Sequence, residues 1–266
     1  MSDLVYARVQ SHFARLKLNR LPDCLDPIAE EATKQQATSV EFLDQLLSAE
    51  IAARLERDIA MKTKLAHFPV IKTLDGFDFG FQPSIDERQR RELATLRFVS
   101  HGENLLLLGP PGTGKTHLAI ALGMLAISQG VSVYFLTVAG RPLGSILDIV
   151  HRDAKEDRLG HRLQAFCRPK LFILDEMGYF PLDRLAAQFL FQLVSRRYQK
   201  TSLIITSNKS YGDWGEIFAD QVLASAILDR VLHHSTTINI RGQSYRLREK
   251  RQAGIFHDLT LPGKGE

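Results

Sequence analysis

A run of four leucines, Leu105 to Leu108, opens directly into GPPGTGKTH, residues 109–117. No other stretch restricts the fold as strongly. The pattern G-x-x-x-x-G-K-[ST] works only with a strand before it and a helix after it. Gly109, Gly114, Lys115 and Thr116 occupy its fixed positions, with Pro110, Pro111, Gly112 and Thr113 between them. The glycines let the backbone turn tightly and bring successive N–H groups onto anionic oxygens. Residues Lys115 to about Gly123 read as a helix, whose positive N-terminal end faces the same oxygens. Lys115 reaches the outer phosphates as a point charge, and the Thr116 hydroxyl is sized to ligate Mg²⁺. His117 is counted with this nucleotide loop and packs or bonds locally. The competing reading, a plain Gly/Pro turn, explains neither the Lys-Thr pair nor the flanking elements.

A phosphate loop alone does not imply hydrolysis, which needs a metal carboxylate and a base nearby. LFILDEMG, residues 171–178, offers both. Leu171 to Leu174 reads as a buried strand, with Asp175 and Glu176 at its C-terminal end, where open α/β sheets place ligands. Asp175 suits the Mg²⁺ shell and Glu176 the polarisation of an attacking water. An acidic turn is the alternative reading of the pair taken alone. SLIITSN, residues 202–208, is a second apolar strand with a polar tip. If it neighbours the strand bearing Asp175, Asn208 lands beside the outermost phosphate and orients water; otherwise it is a turn asparagine.

Strands at 104–108, 131–136, 171–174, 202–206 and 237–240 alternate with helical stretches. That alternation predicts an α/β domain with a central parallel sheet flanked by helices. Ahead of it, Val5, Val9, Phe13 and Leu16 follow helical spacing, and Pro22 and Pro27 are expected to interrupt. Thr38 with Glu41 forms a capping box. Leu43, Leu47, Ile51, Leu55 and Ile59 then keep a four-residue step, an apolar stripe along one long helix that must pack within its own chain or on a second protomer. The Pro/Gly-punctuated stretch 68–86 is a connector. The boundaries expected are a small all-helical N-terminal domain (1–67), the connector (68–86), the nucleotide-binding domain (87–257) and a flexible tail (258–266).

With 266 residues, 44% of them hydrophobic, burying a core is no difficulty. No apolar run approaches the roughly 20 residues that span a membrane, the N-terminal residues show no signal-peptide pattern, and Cys24 and Cys167 make no disulfide framework. A cytoplasmic protein is expected. The net charge of +4 is uneven: residues 1–75 hold 10 Lys and Arg against 11 Asp and Glu, the remainder 24 against 19. The excess falls on the nucleotide-binding part and hints at a polyanionic partner.

Three further groups carry charge or chemistry. Arg230, in ILDRVLHHS (227–235), lies far along the chain from the phosphate loop. It suits either a finger supplied to a neighbouring subunit's nucleotide or an ion pair with Asp229 or Glu216. Arg241, Arg246, Arg248, Lys250 and Arg251, with Tyr245 interleaved, form a phosphate-contacting patch or a solvated basic face. Arg152, Lys155, Arg158, His161, Arg162 and Arg168 lie on a helical insertion diluted by Asp153, Glu156 and Asp157, which reads as a DNA contact or as a salt-bridged helix surface. The neighbours His233 and His234 cannot face one metal from a helix, and no His/Cys cluster has zinc spacing.

Taken together, GPPGTGKTHLA, LFILDEMGYFPLD, FLFQLVSRRYQKTSLIITSN, DWGEIF, AILDRVLHHS and RGQSYRLR closely resemble the IstB-type ATPases, AAA+ helpers encoded by insertion sequences beside their transposase and similar to the DnaC helicase loaders. The resemblance spans roughly residues 40–255. It implies an AAA+ P-loop NTPase fold, ATP and Mg²⁺ as ligands, ATP-dependent self-assembly on double-stranded DNA with little sequence preference, DNA bending, and stimulation of a partner transposase. It places Gly109 to Thr116 in Walker A, Asp175 and Glu176 in Walker B, Asn208 at sensor 1, Arg230 at the arginine finger and Arg246 at the second sensor. Phe77 to Phe79 resembles the segment flanking the adenine, and the N-terminal helices the assembly module. A DnaC-like loader that binds single strands and a replicative helicase is the alternative. A P-loop kinase fits less well, since Asp175-Glu176 followed by a polar-tipped strand suits water activation.

Overall fold

The computed structural model describes residues 2–138, 145–218 and 220–248. Lys250, Arg251 and the tail 258–266 lie outside the described residues. The chain forms two compact units, one of Met1–Met61 and one beginning at Lys62.

The first unit holds α1 (Ser2–Leu16), α2 (Leu21–Lys34) and most of α3 (Ser39–Leu65). Neither proline interrupts as expected. Pro22 falls in the first turn of α2, where its missing N–H loses no helical partner, and Pro27 is carried inside the helix. The capping box forms as the spacing requires: Thr38 N donates to Glu41 Oε2 at 2.7 Å, and Glu41 N to Thr38 Oγ1 at 3.3 Å. Leu21, Cys24 and Leu46 make the buried centre, closed by Phe13, Ile28 and Phe42.

The inward face of α3 is not the four-step stripe. Leu46 and Glu50 are buried, whereas Leu43, Leu47, Ile51 and Leu55 are 43–65% exposed. Packing of that stripe within the first unit is therefore not found among the described residues. Glu50 is instead the polar keystone of this unit. Its carboxylate accepts from Arg20 N at 2.7 Å, Arg54 Nε at 2.8 Å and Arg57 Nη2 at 3.2 Å. Arg54 in turn donates to Lys17 O at 2.9 Å, so the turn between α1 and α2 is held to α3.

In the second unit, α4 (Glu87–Ala94) and α5 (Arg97–His101) precede the sheet. Then follow β1 (Asn104–Leu108), α6 (Lys115–Ser128), β2 (Val133–Thr137), α7 (Ile146–Lys155), α8 (Leu159–Cys167), β3 (Leu171–Met177), α9 (Arg184–Arg197), β4 (Ser202–Ser207), α10 (Trp214–Phe218), α11 (Gln221–Leu232) and β5 (Ser235–Asn239). The five strands are parallel, in the order β2-β3-β4-β1-β5. Every residue of β1 and β4 is buried, as a sheet covered on both faces requires. Leu106, Leu108, Phe172, Leu174, Leu203 and Ile205 form one cluster with α7, α8, α9 and α11. Ile173 turns to the other face, where α6 crosses it at Gly123.

Strand ends differ from the sequence reading at two functional places. β3 runs on to Met177, so Asp175 and Glu176 lie within it, because Thr137 of β2 pairs with Asp175 and Ser207 of β4 with Met177. β5 begins at Ser235 rather than 237 because its Ser-Thr-Thr backbone pairs with Asn104 to Leu106. Apolar patterning marks neither extension. No described helix is long and apolar enough to cross a membrane, and both cysteines are free.

Replacing Glu50 by Ala leaves the Arg20 amide and two guanidinium groups without their acceptor. We expect a loss of about 1–3 kcal/mol in the N-terminal unit, read in urea unfolding and as faster amide exchange over residues 17–24. Unchanged protection there would show that the carboxylate does not hold the turn.

Candidate nucleotide site

The phosphate loop leaves β1 at Leu108 and enters α6 at Lys115. Two of its glycines are required by what lies against them. At Gly112 (φ +81°) a Cβ would come within 2.1 Å of Ser244 Oγ, and at Gly114 (φ +96°) within 2.7 Å of Phe77 Cε2. No side chain caps α6, so its first N–H groups stay free for an anion. Lys115 Nζ donates to Gly109 O and Pro110 O, both at 2.7 Å. These carbonyls take two of the ammonium's three donors. Thr113 Oγ1 closes the loop on Pro110 O at 2.9 Å, and Tyr245 N donates to Gly112 O at 3.0 Å.

The register of the sheet delivers the remaining groups. β4 lies between β1 and β3, so Asp175 reaches across to α6. Its Oδ1 accepts from Thr116 Oγ1 at 2.9 Å and from Thr206 Oγ1 at 2.5 Å. Thr116 and Asp175, both assigned to Mg²⁺ from the sequence, are thus in direct contact. Among the described residues no cluster of three His, Cys, Asp or Glu stands ready to cage a metal. A two-ligand site completed by phosphate oxygens and water is the usual Mg²⁺ arrangement, and these two oxygens fit it.

Glu176 sits at an irregularity in the β3–β4 pairing between Leu174 and Met177. Its φ of +62° is unusual for a residue with a side chain. Its N–H donates to Thr206 Oγ1 at 3.0 Å and its Oε2 accepts from Thr137 Oγ1 at 3.5 Å. Asn208, one residue past β4, has a buried Oδ1 with no hydrogen-bond partner among the described residues; at Gly178 (φ +96°) a Cβ would come within 2.8 Å of Lys209 Cγ and 3.3 Å of that oxygen.

A cavity of about 410 Å³ joins these groups. Gly112 to His117 line it, with Glu176, Thr206 and Asn208. Phe77, Asp78, Gln82, Tyr245 and Arg246 also line it. His117 Nε2 lies 3.1 Å from Thr73 O and its ring meets Phe77 edge-on, centroids 5.3 Å apart, which ties α6 to the connector. Lys72, Thr206, Tyr179, Gln82 and Tyr245 line the cavity without having been singled out for it from sequence. Thr206 alone had a local signal, the polar tip of an apolar strand.

Burial sets the charges against one another. Desolvation lowers the Lys115 ammonium to about 8, helped by Arg246 and opposed by Asp175. It raises Asp175, against the hydrogen bonds from Thr206 and Thr116. Glu176 is raised by burial and then by Asp175.

Other sequence-assigned residues stand apart. Arg230 does not line the cavity. Its Nη1 donates to Ala226 O at 2.8 Å and its guanidinium lies 4.9 Å from the Phe191 centroid. The ion pair with Asp229 or Glu216 is not formed, and Glu216 pairs with Lys209. Arg152, Arg158 and Arg162 converge on the fully buried Asp153 at 3.5, 3.9 and 2.5 Å, so this helix surface is salt-bridged; Lys155 is exposed. Arg248 pairs with Asp78 at 2.7 Å, while Arg241 is exposed and its N–H donates to Ser84 Oγ at 3.0 Å. His233 Nδ1 meets Tyr198 Oη, and His234 Nε2 meets Gln199, so the two histidines share no ligand position.

The family of IstB-like ATP binding proteins matches residues 11–253. Over 249 residues the chain is 48% identical to the ATP-binding protein of insertion sequence IS21 from Pseudomonas aeruginosa, covering 94% of this chain and 92% of that one. Over 244 residues it is 47% identical to the counterpart in IS5376 from Geobacillus stearothermophilus, covering 92% and 95%. Among solved structures, DnaI superposes with a TM-score of 0.50 at 21% identity, over 65% of this chain and 89% of that chain. AMPPCP-bound DnaA from Aquifex aeolicus does so with 0.51 at 18%, over 71% and 57%. The likeness to these structures is one of fold, the AAA+ P-loop arrangement.

The low Lys115 value has a measurable consequence. Phosphate oxygens favour the ammonium, so its pKa rises on binding. Above the free-state value of about 8, binding must take up a proton and affinity falls as pH rises. At pH 8 the uptake should be about half a proton, read by calorimetry in two buffers of different ionisation enthalpy. Affinity that stays flat from about pH 7 to about pH 9 would remove Lys115 from the phosphates.

Proposed function

The chain belongs to the IstB-like ATP-binding protein family, and from that premise we propose that it is an ATPase of DNA transposition. On this reading it assembles on double-stranded DNA with little sequence preference, bends it and stimulates a partner transposase. The observation that carries the hydrolytic part is the convergence of Lys115, the Thr116–Asp175 pair, Glu176 and Asn208 on one cavity. The relatives' names, ATP-binding proteins of insertion sequences, support the context.

The chain's own groups divide the work as follows. Lys115 exchanges the carbonyls of Gly109 and Pro110 for phosphate oxygens. Thr116 and Asp175 would hold Mg²⁺, which would neutralise developing charge on the phosphates. Asn208, with its oxygen unpaired, orients a water, and Glu176 takes the proton as that water's oxygen bonds to the terminal phosphorus. The bond from that phosphorus to the bridging oxygen breaks, and ADP and phosphate leave. Arg230, unpaired with any carboxylate among the described residues and outside its own cavity, serves the nucleotide of a second copy. Assembly would then depend on the terminal phosphate, and hydrolysis would loosen the interface. The exposed stripe of α3 supports a division of labour in which the N-terminal helices (1–67) self-assemble and a separate domain (87–257) is the ATPase. Exposed basic residues such as Lys155 and Arg241 suit salt-sensitive contacts to the DNA backbone.

ATPase rate and particle size, measured together, should rise with ATP and duplex DNA. Stimulation by single strands alone, without large assemblies, would favour a helicase-loader role instead. Glu176→Gln should bind ATP and stay assembled on DNA, and in the unsubstituted protein hydrolysis should fall on the acid side at a higher pH than an ordinary glutamate would give, since its pKa is raised. Normal turnover by the Gln variant would strip Glu176 of its role.

Arg230→Ala should lower hydrolysis roughly a thousandfold with ATP binding intact. Mixing it with Lys115→Ala protein should restore part of the rate, because one variant keeps the loop and the other the finger. Absence of any rescue would count against action between subunits.

A further inference from the structure

The connector and the chain after β5 are joined side by side. Arg241 N donates to Ser84 Oγ at 3.0 Å, Gln82 Nε2 to Gln243 O at 3.4 Å and Arg248 Nη1 to Asp78 Oδ2 at 2.7 Å. Phe81 meets Tyr245 edge-on, centroids 5.2 Å apart. Together they wall the cavity at Asp78, Gln82 and Tyr245.

Three side chains in this wall carry oxygens that can accept, and that of Tyr245 is engaged by Arg248. Asp78 is committed: one oxygen takes Arg248 and the other the N–H of Phe81 at 3.0 Å. Gln82 is not. It is 2% exposed, and its Oε1 is buried with no hydrogen-bond partner among the described residues. The carbonyl of Gln243 can only accept, so the amide nitrogen must face it and the amide orientation is fixed. The unpaired group is therefore an acceptor. Gly242 makes the seat possible, since a Cβ there would come within 2.8 Å of Oε1. A buried carbonyl left unpaired is costly, and such groups in native proteins generally meet a partner that the bare chain does not supply.

The position of this wall identifies the partner. Lys115 and the Thr116–Asp175 pair fix where the phosphates lie, so the base falls toward the connector, beside Phe77 and Tyr245. We propose that Gln82 is a specificity-determining residue: its Oε1 accepts from the 6-amino group of adenine and so selects adenine over guanine, which offers a carbonyl at that position. A site built to hydrogen-bond one group rejects the analogue lacking it, because its own polar atom is left unpaired. The proposal rests on the reading of this cavity as the nucleotide site.

The test is equilibrium binding to the full-length protein of three triphosphates: ATP, GTP, and purine riboside triphosphate, which has hydrogen in place of the 6-amino group. Unsubstituted protein should prefer ATP over both others by about tenfold or more. Gln82→Met, close in shape but without the acceptor, should bring ATP down to the purine riboside level and leave that analogue's own affinity unchanged. Gln82→Glu keeps acceptor oxygens and should retain the ratio of ATP to purine riboside triphosphate even if both bind more weakly. An unchanged ratio in Gln82→Met, or an equal loss for all three ligands, would overturn the role of Gln82. Tight and equal binding of all three by unsubstituted protein would overturn it while leaving the phosphate site intact. Binding of none would overturn the nucleotide site itself, and Gln82 with it.

Discussion

The placement of β4 between β1 and β3 is the constraint on which the site depends. Neither the phosphate loop nor the acidic pair acts alone, and they come from strands that are not neighbours. With β4 inserted, Thr206 stands midway and donates to Asp175, while its hydroxyl also accepts from the Glu176 backbone. The register Leu105↔Ile204 and Ile173↔Ile204 then fixes the height of loop, carboxylates and Asn208 at one edge of the sheet. Small displacements of that register would separate Thr116 from Asp175, now 2.9 Å apart. The buried apolar residues on both faces resist such sliding, since a one-residue slip reverses every side chain.

The electrostatics follow from that burial. Lys115 is nearly enclosed, lowered to about 8, and rests on two carbonyls rather than on a carboxylate. Asp175 and Glu176 are both raised, chiefly by desolvation. Each group is thus held in surroundings that disfavour its charge. A phosphate chain would supply Lys115 with an anionic partner, and a divalent cation held at Thr116 and Asp175 would supply that carboxylate with a cationic one. Such a site gains from binding a charged ligand what its folded chain forgoes without one. The positive φ of Glu176 belongs to the same economy: the β3–β4 irregularity turns that carboxylate toward the cavity while Asp175 keeps its place in the sheet.

Much of this was legible in the sequence because it is local. The loop, its helix, the apolar strands and the Thr38–Glu41 cap each follow from residues within one turn or one strand. What was not legible depends on partners distant in the chain. Strand ends at Met177 and Ser235 were missed because pairing, not apolar patterning, sets them. Pro27 signals a break by its residue type, yet a proline inside α2 costs the helix one backbone bond and the helix continues through it. The α3 stripe had the right period, but the neighbouring face, Phe42, Leu46 and Glu50, turns inward. The arginines of α7 and α8 were open to two readings, and a fully buried Asp153 at their centre is what gathers three of them into ion pairs. Gln82 had no sequence signal at all; its partner lies at Gln243.

That last contact belongs to a wider coupling. The chain after β5 lies on the phosphate loop itself, with Ser244 filling the space beside Gly112 and Tyr245 N bonded to Gly112 O at 3.0 Å. The same few residues carry Arg246, whose charge bears on Lys115 and Glu176, and Arg248, held by Asp78. A loop that rearranges around phosphates therefore cannot do so without moving Tyr245. Through Gln82, Ser84 and Asp78, the connector is drawn along with it. Connector, phosphate loop and the segment 241–248 are hydrogen-bonded each to the next, an unbroken series among these described contacts.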